Sequence, residues 1–149
     1  MDNVKKVNEE LTIAGQLTPE QFQQAAQEGF KSVLNLRSPL EQGFLSDEQQ
    51  QVETAGLEYF HIPVKPSAIS EELTTEVLKQ IDELPKPTLI HCAAGMRAAT
   101  MALMNLATRQ GLTPEQVFAR TTELGFDINA NPQLKQFMED YISGNQLKK

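Results

Sequence analysis

The sequence predicts an α/β fold with a mainly parallel central sheet flanked by helices, and three observations predict it. Short β-rich runs alternate along the chain with helical stretches of roughly ten to fifteen residues, the spacing of right-handed βαβ crossovers. The runs SVLNL at 32–36 and TLIHC at 88–92 are nearly continuously apolar, as strands covered on both faces are. Helix-capping signals stand at the junctions between the two kinds of segment.

Taken in order, VKKVNEELTIAG at 4–15 reads as a small two-stranded opening. Thr18-Pro19-Glu20-Gln21 then supplies an N-cap, a proline at the first helical position and a glutamine that closes a capping box. That helix runs to about Glu28 and stops at Gly29. SVLNL is the next strand, Ser46-Asp47-Glu48-Gln49 starts a second helix that closes near Gly56, and LEYFHIPV at 57–64 is a strand whose exit Pro63 and Pro66 mark. Ser70 caps a helix through about Leu84, and TLIHC follows it. Helices at roughly 97–110 and 114–124 come next, and a last one starts at Asn131-Pro132 and ends near Ser143-Gly144. TPEQ occurs at 18–21 and at 113–116, which is one capping device used twice, since nothing around it repeats. No linker or low-complexity stretch divides the chain, so residues 1–149 are expected to form one domain with a frayed tail from about 144.

Composition narrows the function. At 149 residues, 40% hydrophobic and 22% charged, the chain suits a globular protein with a real core. Its formal charge of −7 argues against nucleic acid or an anionic membrane as a partner, so an anionic substrate needs a local positive site. The start, MDNVKKVNEE, has no apolar signal region, and no run reaches the roughly 18 apolar residues of a membrane helix. A single cysteine cannot form an internal disulfide, which suits a reducing cytoplasm. Two histidines and one cysteine give no zinc spacing, and no metal or organic cofactor is expected.

That cysteine, Cys92, lies at the carboxyl end of an expected parallel strand, where ligands of such sheets bind. The residues after it, Ala93, Ala94, Gly95 and Met96, are small or flexible and let the backbone curl with its N–H groups inward. Arg97 opens the following helix. A nest of amides at a helix N-terminus binds an anion and favours thiolate over thiol, and an arginine fork can grip an oxyanion in two places. A lone cysteine is more often inert filling of a core. Here the strand end, the glycine, the arginine and the helix coincide, which favours a reactive anion cradle.

HCAAGMR resembles the signature loop of cysteine-dependent phosphatases, and the resemblance extends beyond it. LTIAGQLTPEQF, GFKSVLNLR and Glu41 within 11–41, YFHIPV at 59–64 and LIHCAAGMR at 89–97 are together similar to the bacterial beta-lactamase-hydrolase-like, phosphatase-like domain family. The resemblance implies a cysteine-phosphatase-like fold and a phosphorylated small molecule or phosphoprotein as partner. It implies Cys92 as nucleophile, with Arg97 and the amides of Ala93 to Met96 binding the phosphoryl oxygens.

The loop also departs from the commoner phosphatase pattern. Four residues separate Cys92 from Arg97, where most tyrosine phosphatases have five, although the bacterial family shares the short gap. Rhodanese-type sulfurtransferases also carry a six-residue loop that begins with the catalytic cysteine. A persulfide carried on Cys92 is therefore an alternative, and a non-catalytic phospho-ligand binder is a further one. After the arginine stands Ala98 where phosphatases commonly place a hydroxyl, and Thr100 reads as a surface or back-bonding hydroxyl. The segment 61–70 has no Asp or Glu to protonate a leaving group; Glu41, Asp47, Glu71 and Asp127 are candidates elsewhere, each more simply read as a surface carboxylate. Slow turnover biased to aryl esters follows.

Arg37, Lys65 and Arg97 each follow an expected strand, so parallel strands gather them on one edge. Lys65 then attracts substrate, and Arg37 either does so or is the structural partner of Glu41. In a strand the side chain of His91 points away from that of Cys92, so His91 fixes the loop through backbone hydrogen bonds. His61 is structural, and Met96, Met101 and Met104 are helix packing.

Overall fold

The computed structural model describes residues 4–65 and 68–145, with the side chain of Asn145 excepted. Of the tail expected to fray from about 144, residues 144–145 belong to the last helix and residues 146–149 lie outside the described residues.

Strands β1 (Val4–Lys6), β2 (Leu11–Ala14), β3 (Ser32–Asn35), β4 (Glu58–His61) and β5 (Thr88–His91) form one sheet in the order β1-β2-β5-β3-β4. Only β1 runs antiparallel, to β2; the β2–β5, β5–β3 and β3–β4 pairs are parallel. The sheet is therefore mixed and mostly parallel, and β5, which leads directly into the cysteine, lies at its centre. The two-stranded opening, the near-continuous apolar strands and the capping boxes are all where the residues require them.

Helices α1 (Pro19–Gln27) and α2 (Glu48–Thr54) pack on one side of the sheet. Helices α3 (Glu71–Glu83), α4 (Met96–Gln110), α5 (Pro114–Glu123) and α6 (Pro132–Asn145) pack on the other. Thr18 and Thr113 each close the same capping box, with Gln21 and Gln116 as the reciprocal donors' partners. Ser70 caps α3 by accepting from the amide of Leu73 at 3.1 Å. One short 3-10 turn, Ile128–Ala130, was not legible in the sequence; Asp127 caps it through the amide of Asn129.

Strand alternation divides the core in two. Ile90 and Cys92 face the α4 side with Leu34, Ile13 and Met101, whereas Leu89 faces the α1–α2 side with Val33 and Phe22. Each fully buried side chain of this kind, such as Leu89 or Ile90, contributes about 1.5–3 kcal/mol by leaving water. The same alternation sends neighbours in sequence to opposite faces, and this decides what surrounds the cysteine.

Candidate active site

Cys92 directly follows β5, its amide donating to the carbonyl of Ala14 at 3.2 Å, so β2 holds the start of the loop. The loop then turns through Ala93, Ala94 and Gly95 into α4, with Gly95 as N-cap in the left-handed region at φ 100°. A Cβ at that position would stand 3.0 Å from Cζ of Phe126, so both the backbone angle and the space call for glycine. The connection between β2 and α1 braces the loop from behind. The amide of Gln16 donates to the carbonyl of Ala93 at 3.0 Å, and the approach is close enough that a Cβ on Gly15 would stand 2.9 Å from that oxygen. With the Ala93 carbonyl turned back, the amide of Gly95 points forward and donates to Sγ of Cys92 at 3.1 Å. The amides of Ala93 and Ala94 donate to no protein group among the described residues. The unpaired first amides of α4 add their partial positive charge.

Arg97, in the first turn of α4, completes the cradle. Its Nη1 and Nη2 donate to Oε2 and Oε1 of Glu41 at 2.7 and 2.8 Å, and Nη1 also donates to the carbonyl of Val64 at 2.9 Å. Glu41 is itself fixed by the amide of Ser38 at 2.6 Å and by Nε of Arg37 at 3.2 Å. The bond from Arg97, against the opposing effect of burial, holds the Glu41 carboxyl down at about 2. The same bond is the main cause that raises Arg97 above the ordinary arginine value, with Cys92 adding to it. End-on fixing by Glu41 leaves Nε–H and one Nη2–H of Arg97 for the sulfur of Cys92 and for an anion.

In front of the loop opens a cleft of about 620 Å³. Cys92, Ala93, Ala94, Met96 and Arg97 form its floor, and Ile69, Leu134 and Phe137 with the amides Asn131 and Gln133 form its walls. Cys92 is 1% exposed, so a ligand reaches it only through this cleft. Among the described residues no carboxylate lines the cleft. Of the four carboxylates weighed as proton donors, Glu41 is bound to Arg97, Asp47 accepts from Gln51 at 2.7 Å, and Asp127 caps the 3-10 turn. Glu71 is exposed in the first turn of α3. Thr100 is 1% exposed and bonds back to the carbonyl of Met96 at 2.9 Å, so it is a back-bonding hydroxyl and not a surface one.

The parallel strands bring Arg37, Lys65 and Arg97 to one edge of the sheet, but in different roles. Arg37 is 4% exposed, and its guanidinium donates to Glu41, to Oε1 of Gln16 at 2.8 Å and to the carbonyls of Gln42 and Gly43 at 2.5 and 3.1 Å. This is the position of a structural partner of Glu41, the alternative that the sequence left open, and it leaves Arg37 outside the cleft lining. Lys65 is exposed and also outside the lining, beside Val64, which anchors Arg97. Nε2 of His61 meets the carbonyl of Arg37 at 2.5 Å, a structural contact.

His91 faces the other side of the sheet from Cys92. Its Nδ1 lies 3.3 Å from the carbonyl of Cys92, and its Nε2 lies 2.7 Å from Oε2 of Glu48. Glu48 was not legible as a site residue: in sequence it is one more polar residue in EQQQ, and only the packing of α2 against the sheet brings it under β5. Burial pushes its carboxyl up, yet the bond and charge of His91, with bonds from Gln16 and Tyr59, outweigh this and hold it below the usual value. Gln16 donates to Oε1 of Glu48 at 2.8 Å and accepts from Arg37, so hydrogen bonds run from Cys92 through His91, Glu48, Gln16, Arg37 and Glu41 to Arg97. Among the described residues no group of three or more His, Cys, Asp and Glu side chains is placed to hold a metal ion. No described helix is long and apolar enough to cross a membrane.

A mostly parallel sheet with a cysteine–arginine loop at the end of its central strand defines a cysteine-phosphatase-like fold. Residues 3–109 match the family model "Beta-lactamase hydrolase-like protein, phosphatase-like domain", and the chain belongs to that family. A beta-lactamase hydrolase-like protein of Agrobacterium fabrum is 32% identical over 130 residues, 84% of this chain and 30% of that protein. The corresponding Xylella fastidiosa protein is 30% identical over 125 residues, 82% of this chain and 29% of that one. The chain thus spans less than a third of the length of these curated relatives. Among solved structures, a DUF442 protein of Shewanella putrefaciens CN-32 superposes with a TM-score of 0.82 at 23% identity, covering 98% of this chain and 92% of that one. The core catalytic domain of the PP-IP phosphatase SIW14 of S. cerevisiae does so at 0.75 and 21%, covering 95% and 89%.

Proposed function

We propose that this chain is a cysteine-dependent phosphatase that hydrolyses phosphate monoesters through a phosphocysteine on Cys92. The observation that carries the reading is the pairing of the Gly95 amide, 3.1 Å from the Cys92 sulfur, with an Arg97 fork held end-on by Glu41 beside it. A monoester enters the cleft with its phosphoryl oxygens on the loop amides and on the remaining N–H groups of Arg97. The thiolate attacks phosphorus, an S–P bond forms, and the ester P–O bond breaks with its electron pair leaving on oxygen. Water then attacks the phosphocysteine, the S–P bond breaks, and inorganic phosphate and thiolate result. Charge that develops on the equatorial oxygens in both steps meets donors already in place. Because no carboxylate among the described residues lines the cleft to protonate the leaving oxygen, the substrate is one whose oxygen leaves unaided, an aryl or similarly acidic ester.

The phosphatase-like description of the family supports the reaction class. Lys65, on the same sheet edge as Arg97, adds attraction for the anion at the rim. A phosphorylated small molecule or phosphoprotein is the partner, and the single cysteine suits the cytoplasm as the compartment.

The test is a paired assay of the protein and its Cys92→Ser variant, one arm with p-nitrophenyl phosphate and the other with thiosulfate and cyanide. Cysteine-dependent release of nitrophenol without thiocyanate is expected. Thiocyanate formation without nitrophenol would assign a persulfide carrier instead, and phosphate binding with neither product would leave a binding module.

A further inference from the structure

A second cavity, of about 360 Å³, adjoins the cleft and has no part in the reaction as written. Lys5, Phe126 and the end of β2 line it together with Ala93, Ala94 and Gly95. Ala93 and Ala94 line both spaces, so the two meet over the first residues of the loop. The cleft carries the apolar wall of Leu134 and Phe137. The second cavity carries a cation: Lys5 is the one charged residue among the described residues that line it.

Lys5 belongs to the edge strand β1, yet three consecutive residues after α5 hold its ammonium in place. The carbonyl of Leu124 accepts from Nζ across 119 positions of sequence. Gly125, in the left-handed region at φ 90°, leaves the space that Nζ fills, since a Cβ there would stand 2.5 Å from it. The ring of Phe126 lies beside it, its centroid 5.4 Å from Nζ. An ammonium has three N–H groups, and the Leu124 carbonyl takes one. Among the described residues no carboxylate pairs with Lys5, whereas Lys6, Arg37, Arg97, Arg109 and Arg120 each have one. Closing the end of α5 accounts for the carbonyl contact. It does not account for an unneutralised cation in a hollow beside an anion cradle, on a chain of formal charge −7. Phe126 also sets the interval. Its Cζ is 3.0 Å from where a Cβ on Gly95 would stand, so one aromatic ring spans the way from the loop to the ammonium.

We propose that Lys5 is a specificity-determining residue that receives a second anionic group of the substrate, so that the preferred ester is an aryl phosphate whose ring itself bears an acid group. The inference rests on the phosphatase reading and narrows its substrate. The phosphoryl group occupies the loop amides and Arg97, and the ring lies over Ala93 and Ala94. Its acid group crosses into the second cavity and accepts from the remaining N–H groups of Lys5. Because Leu124 and Gly125 already hold the ammonium, less side-chain freedom is lost on meeting the anion than a free surface lysine would lose. Lys65, by contrast, is exposed and lines neither space, so its charge attracts without selecting.

Calorimetric binding to the Cys92→Ser protein tests this without turnover. The ligands are 3- and 4-carboxyphenyl phosphate and their carbamoyl counterparts, which match them in shape and lack the second charge. At least one carboxylate isomer is expected to bind about fivefold more tightly than its carbamoyl partner. Adding Lys5→Met keeps an unbranched apolar stem beside Phe126, removes the charge, and is expected to abolish the difference. The readout is a ratio on one protein, so a general loss of affinity cancels. A difference under about twofold for both isomers, one that survives Lys5→Met, or binding of none of the four esters overturns the proposal. Salt decides the matter if Lys5→Met does not fold: on Cys92→Ser alone the preference should fade between about 0.02 and 0.5 M sodium chloride, and a preference indifferent to salt overturns the assignment. The two readings fail separately. A Lys5-dependent preference with no turnover by the parent protein removes the reaction and leaves the second-anion site, and turnover without the preference does the reverse.

Discussion

Glu41 meets Arg97 end-on, its two carboxylate oxygens 2.8 and 2.7 Å from Nη2 and Nη1. The contact fixes the plane of the guanidinium and leaves its Nε side for the anion. Glu41 is thus spent on aiming the clamp and is not a proton donor. Its carboxyl is held at about 2, chiefly by Arg97, below its ordinary 4.5. The sign follows: a group whose folded value is depressed contributes stability that is complete above about 4.5 and is lost as pH falls toward about 2. Glu41→Gln should lower thermal stability at pH 6 to 7, by about 1–3 kcal/mol for lost bonds to a charged group, and the gap from the parent should close toward pH 2. Melting curves of both proteins across that range check it; a gap that does not change with pH would contradict it.

Arg97→Lys keeps the charge and discards the fork. One ammonium cannot span both oxygens of Glu41, hold the Val64 carbonyl and still meet an anion bidentately. Turnover of p-nitrophenyl phosphate should fall by about 10²–10³ with the circular dichroism spectrum unchanged. A loss smaller than about fivefold would show that the fork is not what the anion meets.

Gly15 supports the loop from behind without touching the cleft floor's chemistry. A Cβ there would stand 2.9 Å from the Ala93 carbonyl oxygen, a backbone atom that cannot rotate aside. Gly15→Ala should displace the amides of the loop and reduce kcat/KM about tenfold or more. Steady-state kinetics of the purified variant test this, and an unchanged kcat/KM would mean that the loop tolerates movement at Ala93.

With no carboxylate among the described residues lining the cleft, leaving-group acidity should govern the rate. Across a series of aryl phosphates the rate should rise steeply as the phenol becomes more acidic, and alkyl phosphates should react at least about a hundredfold more slowly. A flat dependence would reveal a proton donor.

The fold was largely legible because its signals are local. The two TPEQ capping boxes, the apolar strands and Ser70 each specify an element through residues within one turn or one strand. Cys92 and Arg97 were legible for the same reason, as both lie in one loop. What surrounds them was not. Glu48 meets His91 across 43 positions, and Glu41 meets Arg97 across 56, so no spacing rule connects either pair. Arg37 shows the limit most clearly. Its place after a strand fits substrate attraction and structural pairing equally well, and only its burial beneath Gln16, Gln42 and Gly43 separates them. Glu48 carried no sequence signal beyond its place at a helix start, because a carboxylate there is ordinarily a solvated one.

The central claim is that Cys92 takes the phosphoryl group itself. Rapid quenching of the protein with an activated aryl phosphate, followed by peptide mass spectrometry, tests it most directly. A phosphoryl group on the peptide containing Cys92, absent from Cys92→Ser and removed on the timescale of turnover, is the expected result. Nitrophenol released at the full rate by Cys92→Ser, or by the parent protein with no phosphoryl group on Cys92 at any quench time, would contradict it.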